Sequence, residues 1–133
     1  MTEPQLTVNT AAWPLAVLTY AGDPPVGEVR AHLEEIETDV LARDEPFVQV
    51  VDLSRAERPN PAQRLAIAEH QKENEERYER LCLGEAYVVP TAEVKGAMTG
   101  VFFAAKPAYD YVFVTTLDDA IAWARECLNG ARL

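Results

Sequence analysis

The stretch Phe47-Val48-Gln49-Val50-Val51-Asp52-Leu53-Ser54 decides the fold. It is rich in β-branched residues and nearly all apolar, which predicts a central strand covered on both faces. Its end, Asp52-Leu53-Ser54, falls at the carboxyl end of that strand, where α/β proteins place their ligands. After a loop, Asn60-Pro61 supplies a cap residue followed by a proline, and this pair predicts the start of a helix.

Strands and helices alternate on both sides of this stretch. The predicted strands are Gln5–Asn9, Leu15–Tyr20, Ala86–Val89 and Tyr109–Val114, and the predicted helices run from Val26 to about Arg43, Pro61 to about Leu83, Thr91 to about Ala105 and Leu117 to about Leu128. This alternation predicts an α/β sandwich around a mostly parallel sheet of about five strands, with about four helices. The length of 133 residues fits one domain over 1–133, with a core of about 13–128.

The charge balance is acidic, with 12 Lys and Arg against 22 Asp and Glu and a formal net charge of −10. Nucleic-acid binding draws much of its strength from clusters of Lys and Arg, and because the sequence has none we expect no nucleic-acid partner. The first residues, Met1-Thr2-Glu3-Pro4-Gln5, lack the basic and apolar regions of a signal peptide, and no apolar stretch approaches the length of a membrane span. We therefore expect a cytoplasmic protein.

Residue types that carry catalysis or bind metals are few and scattered. Ser54 lacks the Gly-x-Ser-x-Gly turn of a hydrolase, so we interpret it as a turn or cap residue. His32 and His70 have no second His or Cys at metal-ligand spacing; His70 is expected to be semi-exposed and His32 solvated. Cys82 and Cys127 are expected to be free packing thiols. The sequence predicts no catalytic residue, no metal site and no cofactor, and an enzymatic interpretation would rest on Ser54, Cys82 and His70 alone.

A surplus of apolar surface lies in the C-terminal half, where Phe102 and Phe103 are neighbours in a predicted helix. A helix directs only part of its circumference at a sheet, so one of these rings should face elsewhere. Either the last helix covers it, or it forms a patch that binds a partner. Gly96 and Gly100 leave a similar choice, between close packing within the chain and a helix–helix contact across a dimer.

The chain resembles the STAS domain, the fold of the SpoIIAA anti-sigma-factor antagonists. The order of elements and the strand ending Val50-Val51-Asp52-Leu53-Ser54 carry this resemblance, and the C-terminal half is similar to the SpoIIAA-like STAS/SEC14 branch. The residues of that second similarity are Ala97-Met98-Thr99-Gly100-Val101-Phe102, Lys106-Pro107 with Tyr109, Phe113, Leu117-Asp118-Asp119-Ala120 and Ala122-Trp123-Ala124. The resemblance implies helices packed on a sheet of four or five strands.

The resemblance also implies where a switch would lie. STAS antagonists are controlled by phosphorylation of a serine in an Asp-Ser-Ser-Gly turn at the start of the second helix. The matching turn here is Asn60-Pro61-Ala62-Gln63, so the phosphoacceptor position is Ala62, which cannot be phosphorylated. The SEC14 side of the relationship implies binding of lipid-like molecules, although the sequence lacks the large helical gate of such binders.

Together these patterns predict a non-enzymatic cytoplasmic module that binds a protein partner, a second copy of itself as a homodimer, or both. We expect the contact to involve Ser54, Asn60 and Ala62 at the end of the central strand, and the aromatic surface at Phe102 and Phe103. The alternative is a protein that binds a small apolar, lipid-like ligand between the third helix and the sheet.

Overall fold

A computed structural model describes residues 3–89, 91–104 and 109–131, with the side chains of 102–104 and 131 outside that description. Strands and helices alternate through these residues. The strands are β1 (Gln5–Ala12), β2 (Leu15–Ala21), β3 (Phe47–Asp52), β4 (Cys82–Val88) and β5 (Tyr111–Val114), and the helices are α1 (Val26–Asp39), α2 (Pro61–Glu73), α3 (Glu75–Leu81), α4 (Ala92–Ala104) and α5 (Leu117–Ala131). A short 3-10 turn, Leu41–Arg43, follows α1.

The strands form one five-stranded sheet in the order β1-β2-β3-β4-β5. β1 and β2 form an antiparallel hairpin, and the pairs from β2 to β5 are parallel. The predicted mostly parallel α/β sandwich is therefore confirmed. The central position of β3 follows from its composition, because Phe47, Val48 and Val50 are fully buried and need cover on both faces of the sheet.

Helices cover the sheet unequally. α5 lies on one face, where Ala120 and Ala124 pack against Val48, Val50 and Val88. The other four helices lie on the opposite face, and they contribute the buried side chains Val29, Ile36, Ala66, Tyr78, Met98 and Val101. This thicker layer also contains the buried polar side chains His32, Gln63, His70 and Asn74. No helix within residues 3–89, 91–104 and 109–131 is long and apolar enough to cross a membrane.

The sequence-based boundaries were wrong between residues 61 and 85. The single helix predicted from Pro61 to about Leu83 is two helices, α2 and α3, so the described residues form five helices. The break falls at Asn74, whose side-chain amide donates to the carbonyl oxygen of His70 at 3.0 Å and to Glu37 Oε1 at 2.8 Å. An asparagine that bonds the backbone in this way competes with the helical hydrogen bonds.

The strand β4 consequently begins at Cys82, four residues before the predicted strand. Gly84 lies in this strand, and the ring of Trp123 on α5 packs over it. A Cβ at position 84 would come within 2.7 Å of that ring, closer than carbon atoms approach each other. The glycine thus allows α5 to pack tightly on β4.

Candidate functional site

Two polar side chains lie side by side at the centre of the sheet. Gln49 on β3 is paired with Glu85 on β4, and they are 2% and 1% exposed. Both belong to the face of the sheet that α1 to α4 cover. Uncharged and charged polar groups are rarely placed in the middle of a core, because burial costs them their hydration unless partners replace it.

The carboxylate of Glu85 has several such partners. Its Oε1 atom accepts hydrogen bonds from the hydroxyls of Tyr87 and Tyr109, the latter at 2.8 Å, and its Oε2 atom accepts from Nε2 of Gln49. The Tyr109 hydroxyl also lies 3.3 Å from Nε2 of Gln71 on α2. The network thus joins two strands, a helix and the segment that leads into β5.

Burial nevertheless controls the charge of Glu85. It raises the pKa of this carboxyl from 4.5 to about 7, and the hydrogen bonds from Tyr109 and Gln49 oppose the rise only in part. Among the described residues, the buried polar set contains no Lys or Arg that could neutralise the carboxylate. Glu85 is therefore a carboxyl group that titrates near neutral pH inside an otherwise apolar layer.

His70 lies on the helical side of this network. Its Nε2 atom is 2.6 Å from the hydroxyl of Tyr78, and the amide of Asn74 is 3.3 Å from its Nδ1 atom. Burial lowers the pKa of His70 to about 4, while the nearby charge of Glu37 opposes that shift. Because Asn74 can only donate from this amide nitrogen, the neutral ring accepts at Nδ1 and donates from Nε2 to Tyr78.

Three buried polar atoms near the network have no hydrogen-bond partner among the described residues: the hydroxyl of Tyr20, Nδ1 of His32 and Oε1 of Gln49. All three residues line one cavity of about 60 Å³ between the sheet and the helices α1 and α2. Glu85, His70 and Tyr78 line it as well, together with apolar side chains such as Leu33, Val51, Ile67 and Met98. A cavity of that size holds about two water molecules, since each takes about 30 Å³ in the liquid.

An acidic groove adjoins this cavity between α1 and α2. It has a volume of about 140 Å³, and Leu33 and His70 line both spaces. Its other lining residues are Arg30, Glu34, Glu37, Ala66, Glu69 and Glu73. Arg30 is paired with Glu69 at 3.2 Å, so the carboxylates outnumber the cations at the groove.

The residues predicted to contact a partner at the end of β3 form an exposed surface. Ser54, Asn60 and Ala62 are all exposed. Ser54 lies in a turn in which its backbone N–H donates to Asp52 Oδ1 at 2.9 Å. Asn60 caps α2 as predicted, through a reciprocal pair of hydrogen bonds with Gln63. Leu65, one turn further along α2, is 57% exposed.

Hydrogen bonds fix this loop against the turn between β2 and α1. The N–H of Gly22 donates to the carbonyl of Arg55 at 2.9 Å, and the N–H of Glu57 donates to the carbonyl of Gly22 at 3.0 Å. Gly22 has a φ of 73°, a left-handed conformation that glycine adopts without steric cost. Gln63 adds a bond from Nε2 to Asp23 Oδ1 at 2.8 Å. The surface around α2's first turn is thus held in one shape.

The aromatic part of the predicted contact lies on α4. The side chains of Phe102 and Phe103 are outside the part of the chain that the structure describes, so their role stays a prediction. Gly96 and Gly100 on the same helix are exposed, and a Cβ added to either would meet nothing within 4 Å in the part of the chain that the structure describes. Close packing against these described residues therefore does not explain the two glycines.

The structure does not bring together the residues on which an enzymatic interpretation would rest. Ser54 is exposed at the end of β3, Cys82 is buried with its thiol 3.4 Å from the carbonyl of Gly84, and His70 bonds Tyr78. Cys82 and Cys127 are free, as expected. Within the described ranges, no group of three or more His, Cys, Asp or Glu side chains could hold a metal ion.

Sequence reasoning missed the buried network. His32 and His70 were expected at solvated positions, but they are 8% and 5% exposed, because α1 and α2 pack against each other as well as against the sheet. Glu85 was not singled out at all. The available signal was Glu85, a glutamate directly before the apolar run Ala86-Tyr87-Val88-Val89, together with Gln49 in the central strand.

The fold defines the class: it is a SpoIIAA-like α/β fold, as a solved structure that matches it is described. No family model and no curated protein sequence matches the chain. Solved structures do match over nearly its whole length, at 9 to 16% identity, and they show the fold.

The particular structures have related descriptions. An uncharacterised protein of Shewanella loihica with a SpoIIAA-like fold has a TM-score of 0.66 and 9% identity, over 93% of this chain and 95% of that one. A proposed anti-sigma factor antagonist of Thermotoga maritima has a TM-score of 0.58 and 12% identity, over 92% and 94%. The structure of the Pseudomonas aeruginosa diguanylate cyclase SiaD in complex with its activator SiaC matches with a TM-score of 0.53 and 16% identity, over 84% and 90%.

Proposed function

We propose that the chain is a non-enzymatic regulatory module that binds a protein partner through the surface at the start of α2. The observation that carries the proposal is Leu65, an exposed leucine beside a loop that hydrogen bonds hold in one shape. The descriptions of the similar folds, an anti-sigma factor antagonist and an activator in complex with its cyclase, support the same class of function.

The chemistry of this surface indicates what it binds. Ala62 and Leu65 supply an apolar centre, and the exposed Arg58 and half-buried Arg64 lie next to it in sequence. Apolar centres with arginine at the rim are typical of protein interfaces. The partner should therefore present an apolar pocket bordered by acidic groups.

The substitution Leu65→Asp tests this surface. We expect proteins captured from the host by the native chain to be lost with this variant, because the aspartate brings a charge into the desolvated centre of the contact. The matched control is Leu117→Asp, which changes an exposed leucine on α5, across the sheet. A partner lost with both variants, or retained by Leu65→Asp, would place the contact elsewhere.

We also propose that the chain forms a homodimer through the exposed face of α4. Gly96 and Gly100 leave that face flat, and a Cβ added to either would have no neighbour within 4 Å among the described residues. Glycines in a helix cost about 1 kcal/mol each relative to alanine, so a close helix–helix contact is a physical reason to retain them.

The substitution Gly100→Arg should convert the dimer into a monomer in sedimentation equilibrium, since a long side chain would separate the two α4 helices. Arginine is a better helix former than glycine, so the monomer should remain folded. Gly27→Arg on α1, at another helical glycine with nothing within 4 Å, is the matched control and should stay dimeric. A native chain that sediments as a monomer at every concentration excludes this dimer.

Binding of a small ligand is the second candidate function, and the interior cavity favours it. The cavity differs from the predicted lipid-like site in position, because α1, α2 and the strands line most of it and, among the described residues, α4 contributes Met98. Its volume of about 60 Å³ restricts the ligand to a compact molecule. Binding of a lipid-like molecule thus stays a prediction, and the cavity volume limits such a ligand to a short apolar group.

A further inference from the structure

The outer edge of β1 has no partner strand among the described residues, because β1 is the first strand of the sheet and pairs with β2 alone. Its regular part, residues 5–9, contains no charged residue and no proline. Proteins ordinarily place lysine, proline or a bulge on such an edge, which prevents other strands from pairing with it. The edge at residues 5–9 is therefore open to an added strand.

The hydrogen bonds of β2 show which of its backbone groups point toward β1. The carbonyl of Pro14 accepts from the N–H of Val48 on β3 at 3.0 Å, so the N–H of Leu15, on the opposite side of the same trans peptide bond, points toward β1. Backbone directions alternate along a strand. The odd-numbered residues of β2 consequently face β1, and the even-numbered residues face β3.

The same alternation determines the direction of the backbone groups of β1. Thr7 lies opposite Thr19 and therefore exchanges hydrogen bonds with β2. Leu6 and Val8 then direct their N–H and carbonyl groups outward, away from the sheet. Their side chains are half-buried against core clusters to which α1 contributes. A strand added at this edge would place alternate side chains on the same side of the sheet as α1.

A groove of about 280 Å³ lies on that side, between β1 and α1. Its lining residues are Leu6, Glu28, Ala31, His32 and Glu35. The two glutamates are exposed, and neither carboxylate forms a salt bridge with a described residue. They are two helical turns apart, so they lie on one side of α1 at a spacing of about 10 Å. The groove beside the open edge is therefore acidic.

This charge decides between the two kinds of strand that could pair with β1. A second copy of the chain, related by a two-fold axis at the edge, would bring its own Glu28 and Glu35 next to the first pair, and like charges repel. A segment with lysine or arginine at alternate positions would instead bring cations to both carboxylates, because alternate side chains of a strand share one face and are about 7 Å apart. The edge thus favours a basic, extended segment.

We propose that the outer edge of β1 binds an extended basic segment of a partner protein as a sixth strand of the sheet, with lysine or arginine side chains beside Glu28 and Glu35. The backbone groups of Leu6 and Val8 would supply the main-chain hydrogen bonds, and the groove would select the side chains at alternate positions. This surface is separate from the start of α2, and the proposal does not rest on the function given to that surface.

Binding of a synthetic peptide to the full chain tests the edge. The probe is a fluorescein-labelled peptide of alternating lysine and threonine, about nine residues long, measured by fluorescence anisotropy at about 0.15 M ionic strength. We expect saturable binding at one site. Methylation of the backbone nitrogens should abolish binding for one alternating set, the lysines in an antiparallel pairing or the threonines in a parallel one, and should spare it for the other. Equal effects of the two methylations, or no saturable binding, overturn the proposal.

Variants of β1 locate the peptide. Val8→Pro removes an outward N–H that β2 does not use, and proline is tolerated at the free edge of a sheet, so this variant should remain folded by circular dichroism and should not bind the peptide. The control Val8→Ala also shortens the side chain but keeps the N–H, and it should bind. Binding that survives Val8→Pro, or that is lost equally with Val8→Ala, contradicts strand addition at this edge.

Variants of α1 test the charge. The double variant Glu28→Gln with Glu35→Gln should weaken peptide binding roughly tenfold, because two ion pairs are lost. Glu93→Gln with Glu126→Gln, at exposed positions on α4 and α5, changes the net charge equally and should leave binding unchanged. An equal loss in both would show a general attraction to an acidic protein. A dimer that Val8→Pro dissociates in sedimentation equilibrium, without peptide binding, would assign the edge to a second copy, and either result overturns the proposal.

Discussion

Glu85→Gln is expected to stabilise the protein at alkaline pH and to change its pH dependence. The folded chain raises the pKa of Glu85 from 4.5 to about 7, so between these values the folded state binds more protons than the unfolded state. Stability from this group is present below pH 4.5 and is lost as the pH rises through 7. The free energy of unfolding falls by roughly 3 kcal/mol over this pH range, and the glutamine variant avoids this loss.

The glutamine can be accommodated because its amide finds an acceptor. Rotation of the Gln49 amide by 180° would turn its Oε1 atom, which has no partner among the described residues, toward the new amide nitrogen, while the hydroxyls of Tyr87 and Tyr109 can still donate to the new carbonyl oxygen. Urea unfolding of both proteins from pH 4 to 8 measures the effect. The difference between their unfolding free energies should grow with pH in favour of the variant, and a constant difference would mean that Glu85 titrates normally.

His32→Leu is expected to make the protein less sensitive to acid. Burial, and then the nearby His70, lower the pKa of His32 from 6.5 to about 4. A histidine that is neutral when folded contributes stability above pH 6.5, and that contribution is lost as the pH falls through 4. The loss is about 3 kcal/mol for His32, and His70 adds a similar loss because its pKa is lowered equally.

As the pH falls, protonation of the two histidines lowers the free energy of unfolding, while protonation of Glu85 raises it over the same pH range. From pH 6.5 to 4 their combined loss exceeds the gain from Glu85, so the native protein should be most stable near pH 6.5 and should unfold more easily in acid. Leucine removes the unpartnered Nδ1 atom and fills a similar volume. Thermal unfolding at pH 4.5 and 6.5 checks this, with His70 intact in both proteins. An unchanged acid slope in the variant would show that His32 is protonated in the folded state.

The fold could be predicted because its strands have a local signature. β-branched, apolar runs such as Phe47–Asp52 and the asparagine cap at Asn60 are properties of neighbouring residues. The break at Asn74 could not be predicted in this way, since it depends on a hydrogen bond to Glu37 on another helix. Local pattern therefore predicted the number of strands and their order along the chain, but it did not predict the division between α2 and α3.

The interior site could not be predicted for a related reason. A glutamate in a strand is ordinarily assigned to the solvent face, and Glu85 becomes a core residue only because Gln49, on a strand 36 residues earlier, lies opposite it. The polar faces of α1 and α2 likewise read as solvated until the two helices pack together and enclose His32 and His70. The pattern of apolar and polar residues along a single strand or helix does not contain this information.

Alanine at position 62 has a consequence for how such a module would be controlled. The hydrogen bonds from Gly22 and Gln63 hold the neighbouring loop in one conformation, and the methyl group of Ala62 offers no oxygen to a kinase. Phosphorylation at position 62 therefore cannot switch this surface, and covalent control there would have to act on another side chain, such as the exposed hydroxyl of Ser54. Without such a modification, occupancy of the surface follows mass action and is set by the concentrations of the two proteins.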